Sequence, residues 1–162
     1  MKRSVIPAFV THASDSVLTV SPIEEDHAAL ERIFHDAPSV APGGAPWRLS
    51  RTLSLTAAAA ALGQAEFAVV VCERDLAPGS WRDVLAATAN LPRPPLLIVT
   101  SLHADNYLWA EALNIGAYDV VAKPFDRGEV VRVVSFACLR WRREHRTAGP
   151  QAALSTNRAA GC

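Results

Sequence analysis

The sequence is short of the features that would assign it to a class of partner at once. Sixteen basic and sixteen acidic side chains leave a formal net charge of +0, so no global field draws the chain to nucleic acid or to an anionic membrane. Cysteine is scarce. Cys72, Cys138 and Cys162 show neither metal-ligand nor disulfide spacing, and an odd count of three fits reduced thiols in a cytoplasmic protein. Long apolar runs are missing too. The run 5–10 behind Lys2 and Arg3 is interrupted by Pro7 and too short for a signal peptide, and nothing later reaches the length of a membrane span. Gly43 and Gly44 lie in a Pro-rich loop without the strand–glycine–helix context of a phosphate cradle. His103 near Asp105 has neither a nucleophile nor an oxyanion loop beside it and reads as a surface histidine at a helix cap. The chain is therefore not expected to be an enzyme, and no catalytic residue is assigned.

Apolar residues make up 50% of the chain, and 162 residues suffice for one domain with a core and tails. Residues 1–16 and 144–162 lack periodicity and are expected to be flexible tails around a domain at 17–143. Residues 17–20 read as a short strand broken by Ser21 and Pro22. Ile23, Leu30, Ile33, Phe34 and Ala37 then fit one helical face, with Glu24, Glu25 and Asp26 as a solvated acidic first turn. After a Pro/Gly-rich loop at 38–46, residues 47–51 alternate weakly as a second strand. Ser54 caps an alanine-rich helix that Gly63 is expected to stop. The continuous apolar run 67–72 predicts a central strand covered on both faces. A helix at 81–90, a strand at 96–99 ending in Thr100 and Ser101, and a helix at 105–115 stopped by Gly116 follow. The last strand is 118–122, and Asp126 with Glu129 caps a final helix. Strands alternating with helices predict an open, doubly wound parallel α/β sheet. Its functional rim lies at the C-terminal strand ends, with Ser21, Pro22, Glu73, Thr100 and Lys123 upon it.

The tandem of Ala112-Leu113-Asn114-Ile115-Gly116-Ala117 and Lys123-Pro124-Phe125, behind the apolar strand that ends in Thr100, resembles a response-regulator receiver (CheY-like) domain. The resemblance covers about residues 17–141. It implies the flavodoxin-like (βα)5 fold with strand order 2-1-3-4-5, and a cis peptide before Pro124. It also shows where this chain departs from the pattern. The acidic pair that binds Mg²⁺ is replaced by Ser21 and Pro22, and the phospho-accepting aspartate by Glu73. The hydroxyl and lysine positions persist as Thr100 and Lys123, while the switch aromatic is replaced by Val120.

Phosphoryl transfer to a carboxylate needs a hard cation on oxygen ligands, and proline brings none, so Mg²⁺ binding is expected to be weak or absent and no cofactor is assigned. Glu73 is one methylene longer than aspartate and can pair with Lys123 without a metal. It then either mimics the phosphorylated state in part, with about −1 charge against roughly −2, or marks a decayed site. The expected function is that of a degenerate, stand-alone receiver working through phosphorylation-independent protein contacts. Its partners would be a sensor kinase, a regulator or an output protein, or a second copy. Trp109, Val130, Val134 and Trp141 form the candidate interaction face. Two alternatives are kept. One is a phospho-switch with an unorthodox acceptor such as Asp75. The other is a nucleic-acid regulator using Arg140, Arg142, Arg143 and Arg146, although a basic helix end first reads as a complement to the helix dipole.

Overall fold

The computed structural model describes residues 15–146. Its sheet is built from β1 (Ser16–Val20), β2 (Arg48–Thr52), β3 (Val69–Glu73), β4 (Leu96–Ser101) and β5 (Asp119–Ala122), all parallel, in the order β2-β1-β3-β4-β5. Five α-helices connect or follow these strands: α1 (Glu24–Asp36), α2 (Leu55–Gln64), α3 (Trp81–Thr88), α4 (Asn106–Ile115) and α5 (Arg127–Arg146). This is the flavodoxin-like order expected from the sequence.

The apolar run of the central strand behaves as its pattern demands. All five residues of β3 are buried, and their period-2 alternation splits them between two cores. Val70 and Cys72 join Leu18, Leu97 and Val99 beneath α2, α3 and α4. Val69 and Val71 join Val17, Ile98 and Val121 beneath α1 and α5. Each such valine contributes about 1.5–3 kcal/mol through burial. The second set reaches Glu73 and Thr100 at the C-terminal ends of β3 and β4, and Ser21 and Lys123 one residue beyond β1 and β5. One alternation therefore delivers all four rim residues toward the α1–α5 side.

Several predicted boundaries move. Ser16 belongs to β1 rather than to the N-terminal tail, and α5 continues to Arg146 rather than ending near 143; the rest of the two proposed tails lies outside the described residues. Gly63 does not stop α2, because its backbone stays helical and Ala65 N–H still donates to Ala61 O at 3.1 Å. The third helix ends at Thr88, two residues early, where the Thr88 hydroxyl turns back to donate to Leu85 O at 2.7 Å. A two-residue hairpin pairing Asp75–Leu76 with Gly79–Ser80, and the Ser80–Asp83 capping box behind it, were not foreseen. Asp105 and Asp126 cap α4 and α5 as expected, accepting from Leu108 N and Glu129 N at 2.8 Å. Gly116 takes φ 123° at the end of α4, where only glycine is unstrained. The Lys123–Pro124 peptide is cis, as is Ala77–Pro78.

Candidate functional site

At the C-terminal rim the β3–β4 register sets Glu73 directly opposite Thr100. Lys123 follows β5, its N–H held by Ser101 O at 2.9 Å. The lysine side chain lies under the rim rather than in solvent, with 6% of its surface exposed. Its Nζ is 2.5 Å from Glu73 Oε2 and 2.9 Å from Asp26 Oδ2. Ser21 Oγ donates to the same Asp26 oxygen at 2.7 Å and accepts from Ile23 N–H at 3.1 Å. The centre is thus a buried ammonium bracketed by two carboxylates, with a hydroxyl closing one side.

Asp26 corrects the sequence reading. It does not belong to a solvated acidic turn; Glu24 does, reaching Arg51 at 2.7 Å on the surface. The reason is helical phase. Leu30 and Phe34 are the buried apolar positions of α1, and stepping back four residues from Leu30 lands on Asp26, not on Ile23. Ile23 instead stands at the N-cap, 37% exposed. The same phase buries His27, also missed in the sequence, whose Nε2 lies 2.8 Å from Ser21 O. A carbonyl only accepts, so Nε2 carries the proton. Nδ1 meets Thr19 Oγ1 at 2.9 Å, and the histidine thereby ties Ser21, Thr19 and α1 together beneath the site.

Electrostatics favour a charged lysine. Burial works to lower the Lys123 pKa, but hydrogen bonds to Glu73 and Asp26, with the charges of both, outweigh it and hold the pKa above its ordinary 10.5. Thr100 Oγ1 stands 3.4 Å from Glu73 Oε2, beyond the usual range for a hydroxyl–carboxylate bond. The lysine, not the threonine, is therefore the principal partner of Glu73. Val120 is buried against the α2–α4 core, and no aromatic ring occupies its place. Tyr118, two residues earlier, packs on the other core with Arg140 over its ring at 5.7 Å.

A hard divalent cation does not fit these residues. The two carboxylates converge on one ammonium, Ser21 Oγ is turned onto Asp26, and Pro22 supplies no oxygen. Among the described residues no group of three or more His, Cys, Asp or Glu converges where a metal ion could sit. The other sequence candidates lie apart. Asp75 is exposed and ion-paired with Arg74 at 3.0 Å. Cys72 is a core thiol whose pKa is pushed far up by burial and by the charge of Glu73, which disfavours the reactive thiolate. Burial likewise pushes Cys138 up to about 12.

The proposed interaction face is mostly core. Val130, Val134 and Trp141 are 2%, 1% and 1% exposed and form the inner face of α5 against the sheet, with Trp141 Nε1–H donating to Pro94 O at 3.0 Å. Their helical spacing was real, but it marked the inner face. Only Trp109 of the four is open, on α4, with Tyr107 and Leu113 also exposed on that helix. Arg142 does not face outward either: it ion-pairs with buried Asp15 and donates to Val40 O at 2.9 Å.

No family model matches the chain, and no curated protein matches its sequence. Solved structures do match. The signal receiver domain of an HD domain-containing protein from Pseudomonas fluorescens superposes with a TM-score of 0.71 at 22% identity, over 86% of this chain and 96% of that one. The fold is that of a response-regulator receiver. The beryllofluoride-activated NtrC4 receiver domain dimer gives 0.66 at 20% identity, over 78% of this chain and 98% of the other. A CheY-like receiver domain protein from Methanospirillum hungatei gives 0.67 at 14%, over 82% and 99%. On the receiver framework Glu73, Thr100 and Lys123 stand at the ends of β3 and β4 and just beyond β5. Asp26 reaches the same centre from α1. No helix among the described residues is long and apolar enough to cross a membrane.

Proposed function

We propose that this chain is a pseudo-receiver of two-component-type signalling, a cytoplasmic protein that acts through protein contacts without accepting a phosphoryl group. The observation that carries the reading is the Lys123 ammonium between Glu73 and Asp26 at 2.5 and 2.9 Å. An ordinary receiver uses a metal ion to balance its acidic cluster; here a covalently attached cation does so. Glu73 in the acceptor position is engaged by that cation, and Val120 removes the aromatic that would report a change at Thr100. The domain is thus held in one state, and its output is a binding surface rather than a chemical step.

Titrating the protein with Mg²⁺ and beryllofluoride tests this reading. We expect no saturable amide shift at Glu73, Thr100 or Lys123 and no change in the fluorescence of Trp81, whose backbone N–H donates to Arg74 O beside the site at 3.1 Å. A saturable, metal-dependent shift confined to those residues would restore the phospho-switch. Glu73→Gln is the complementary test. Asp26 still holds Lys123 in that variant, so the fold should survive with a loss of about 1–3 kcal/mol. If Glu73 carries a phosphate-like signal, partner affinity or oligomeric state changes with it; unchanged association would make Glu73 a structural counter-ion only.

A further inference from the structure

The outer side of α5 is a surface that the site does not use. Val131, Ser135, Leu139, Arg143 and Arg146 recur at three- and four-residue steps, with Phe136 three residues before Leu139, and so form one stripe on the opposite side of the helix from buried Val130, Val134 and Trp141. Phe136 and Leu139 are 58% and 44% exposed. Pro38 and Val40, in the loop after α1, wall an open depression of about 500 Å³ along it, and Pro42 walls a second, also open, of about 830 Å³ toward the C-terminal end, with Leu139 in both. Arginines stand at both ends: Arg127 and Arg132 at one, Arg143 and Arg146 at the other. Arg132, Arg143 and Arg146 make no ion pair among the described residues. Of the acids of α5, Glu144 pairs with Arg140 at 2.8 Å and Glu129 lies at the stripe's edge near its start.

From this geometry we infer that the α5 groove docks an acidic amphipathic helix of a partner protein, with apolar side chains at its middle and carboxylates at both ends. The inference rests on the reading of the chain as a protein-contact module. Charge selects this occupant over a second copy. Antiparallel pairing of two α5 stripes sets Arg132 against Arg143, parallel pairing sets each arginine against itself, and both repel. Concavity selects it over a bilayer or a nucleic-acid duplex. A planar surface reaches the tips of Phe136 and Leu139 but not the apolar floor behind Pro38 and Val40, and phosphates gain nothing from that floor. From Arg132 to Arg146 the stripe is about 21 Å long, roughly four helical turns, which suits i, i+3, i+4, i+7 anchors on the partner.

The test uses the full chain and a labelled peptide about four turns long with leucines at those anchor positions and glutamates at both ends. We expect saturable amide shifts along 131–146, binding that weakens with salt, and no binding of the same peptide with lysine ends. Arg143→Glu combined with Arg146→Glu should weaken the peptide about tenfold, and Phe136→Ala by a similar factor. Circular dichroism should be unchanged in both variants because Phe136, Arg143 and Arg146 are exposed. Failure of the peptide to shift these residues overturns the inference. So does preferential binding of phosphatidylglycerol vesicles or duplex DNA that the same variants abolish, or sedimentation showing a dimer that Phe136→Ala dissolves. None of these outcomes depends on the Mg²⁺ and beryllofluoride titration, so the docking site and the pseudo-receiver reading fail separately.

Discussion

Replacing Lys123 by methionine is expected to cost about 3–5 kcal/mol of unfolding free energy, read from urea denaturation. The size follows from what is left behind. Glu73 and Asp26 are 6% and 8% exposed, and with the ammonium gone two carboxylates face one another without a cation. Neutralising one of them in Lys123→Met with Glu73→Gln should recover a large part of the loss, and that coupling separates an electrostatic cause from a packing one. The single variant should also gain a metal affinity that the parent is not expected to have. With the internal cation removed, Mg²⁺ has two carboxylates and the Ser21 hydroxyl to bind, so millimolar Mg²⁺ should raise the melting temperature of Lys123→Met and leave the parent unmoved. A loss under about 1 kcal/mol, or an equal response of both proteins to Mg²⁺, would mean that the lysine is solvated and the centre open.

The pH dependence has a definite sign. The folded-state pKa of Lys123 lies above the ordinary 10.5. The lysine's contribution to stability is therefore complete below that value and is lost as pH rises through the higher folded value. Between pH 6 and 9 Lys123 should contribute no slope to stability. Alkaline unfolding should set in above 10.5, and Lys123→Met should lack that component.

The parts of this site that were legible in the sequence are those set by strand ends. An apolar run such as 67–72 has to stop where it leaves the core, and the residue at its end, Glu73, falls on the rim by necessity. Thr100 and Lys123 follow in the same way. Asp26 was hidden because three consecutive acids look solvated, and the phase of α1 was anchored on Ile23 instead of being stepped back from Leu30. For α5, periodicity showed that one face is apolar but not which neighbour covers it. Val130, Val134 and Trp141 are the better hydrophobes and went to the core, while Phe136 and Leu139, outside that repeat, remain in the open. Arg142 points inward for a reason no local pattern carries, since its partner Asp15 lies 127 residues away.

That long-range pair yields the second large effect. Asp15→Ala should destabilise the protein by about 3 kcal/mol, although the residue precedes the first strand and has no apolar surface to contribute. Asp15 is fully buried, its carboxylate ion-paired with Arg142 and accepting from Ser39 Oγ at 2.5 Å. Removing it leaves a guanidinium at 14% exposure with one described hydrogen bond, to Val40 O at 2.9 Å. Burial already pulls the Arg142 pKa below its usual value, so the free cation would be held at a cost. Arg142→Ala alone should be comparably harmful, and the double variant less so than the two losses added, because neither charge is then left unpaired. The consequence reaches the binding surface. Ser39 and Val40 belong to the loop that walls the α5 groove, and Asp15 fixes that loop through Ser39 while Arg142 fixes it through Val40. Asp15→Ala should therefore weaken the acidic peptide even in buffers where the protein remains folded. Equal peptide binding by the Asp15 variant would show that the groove does not depend on this clasp.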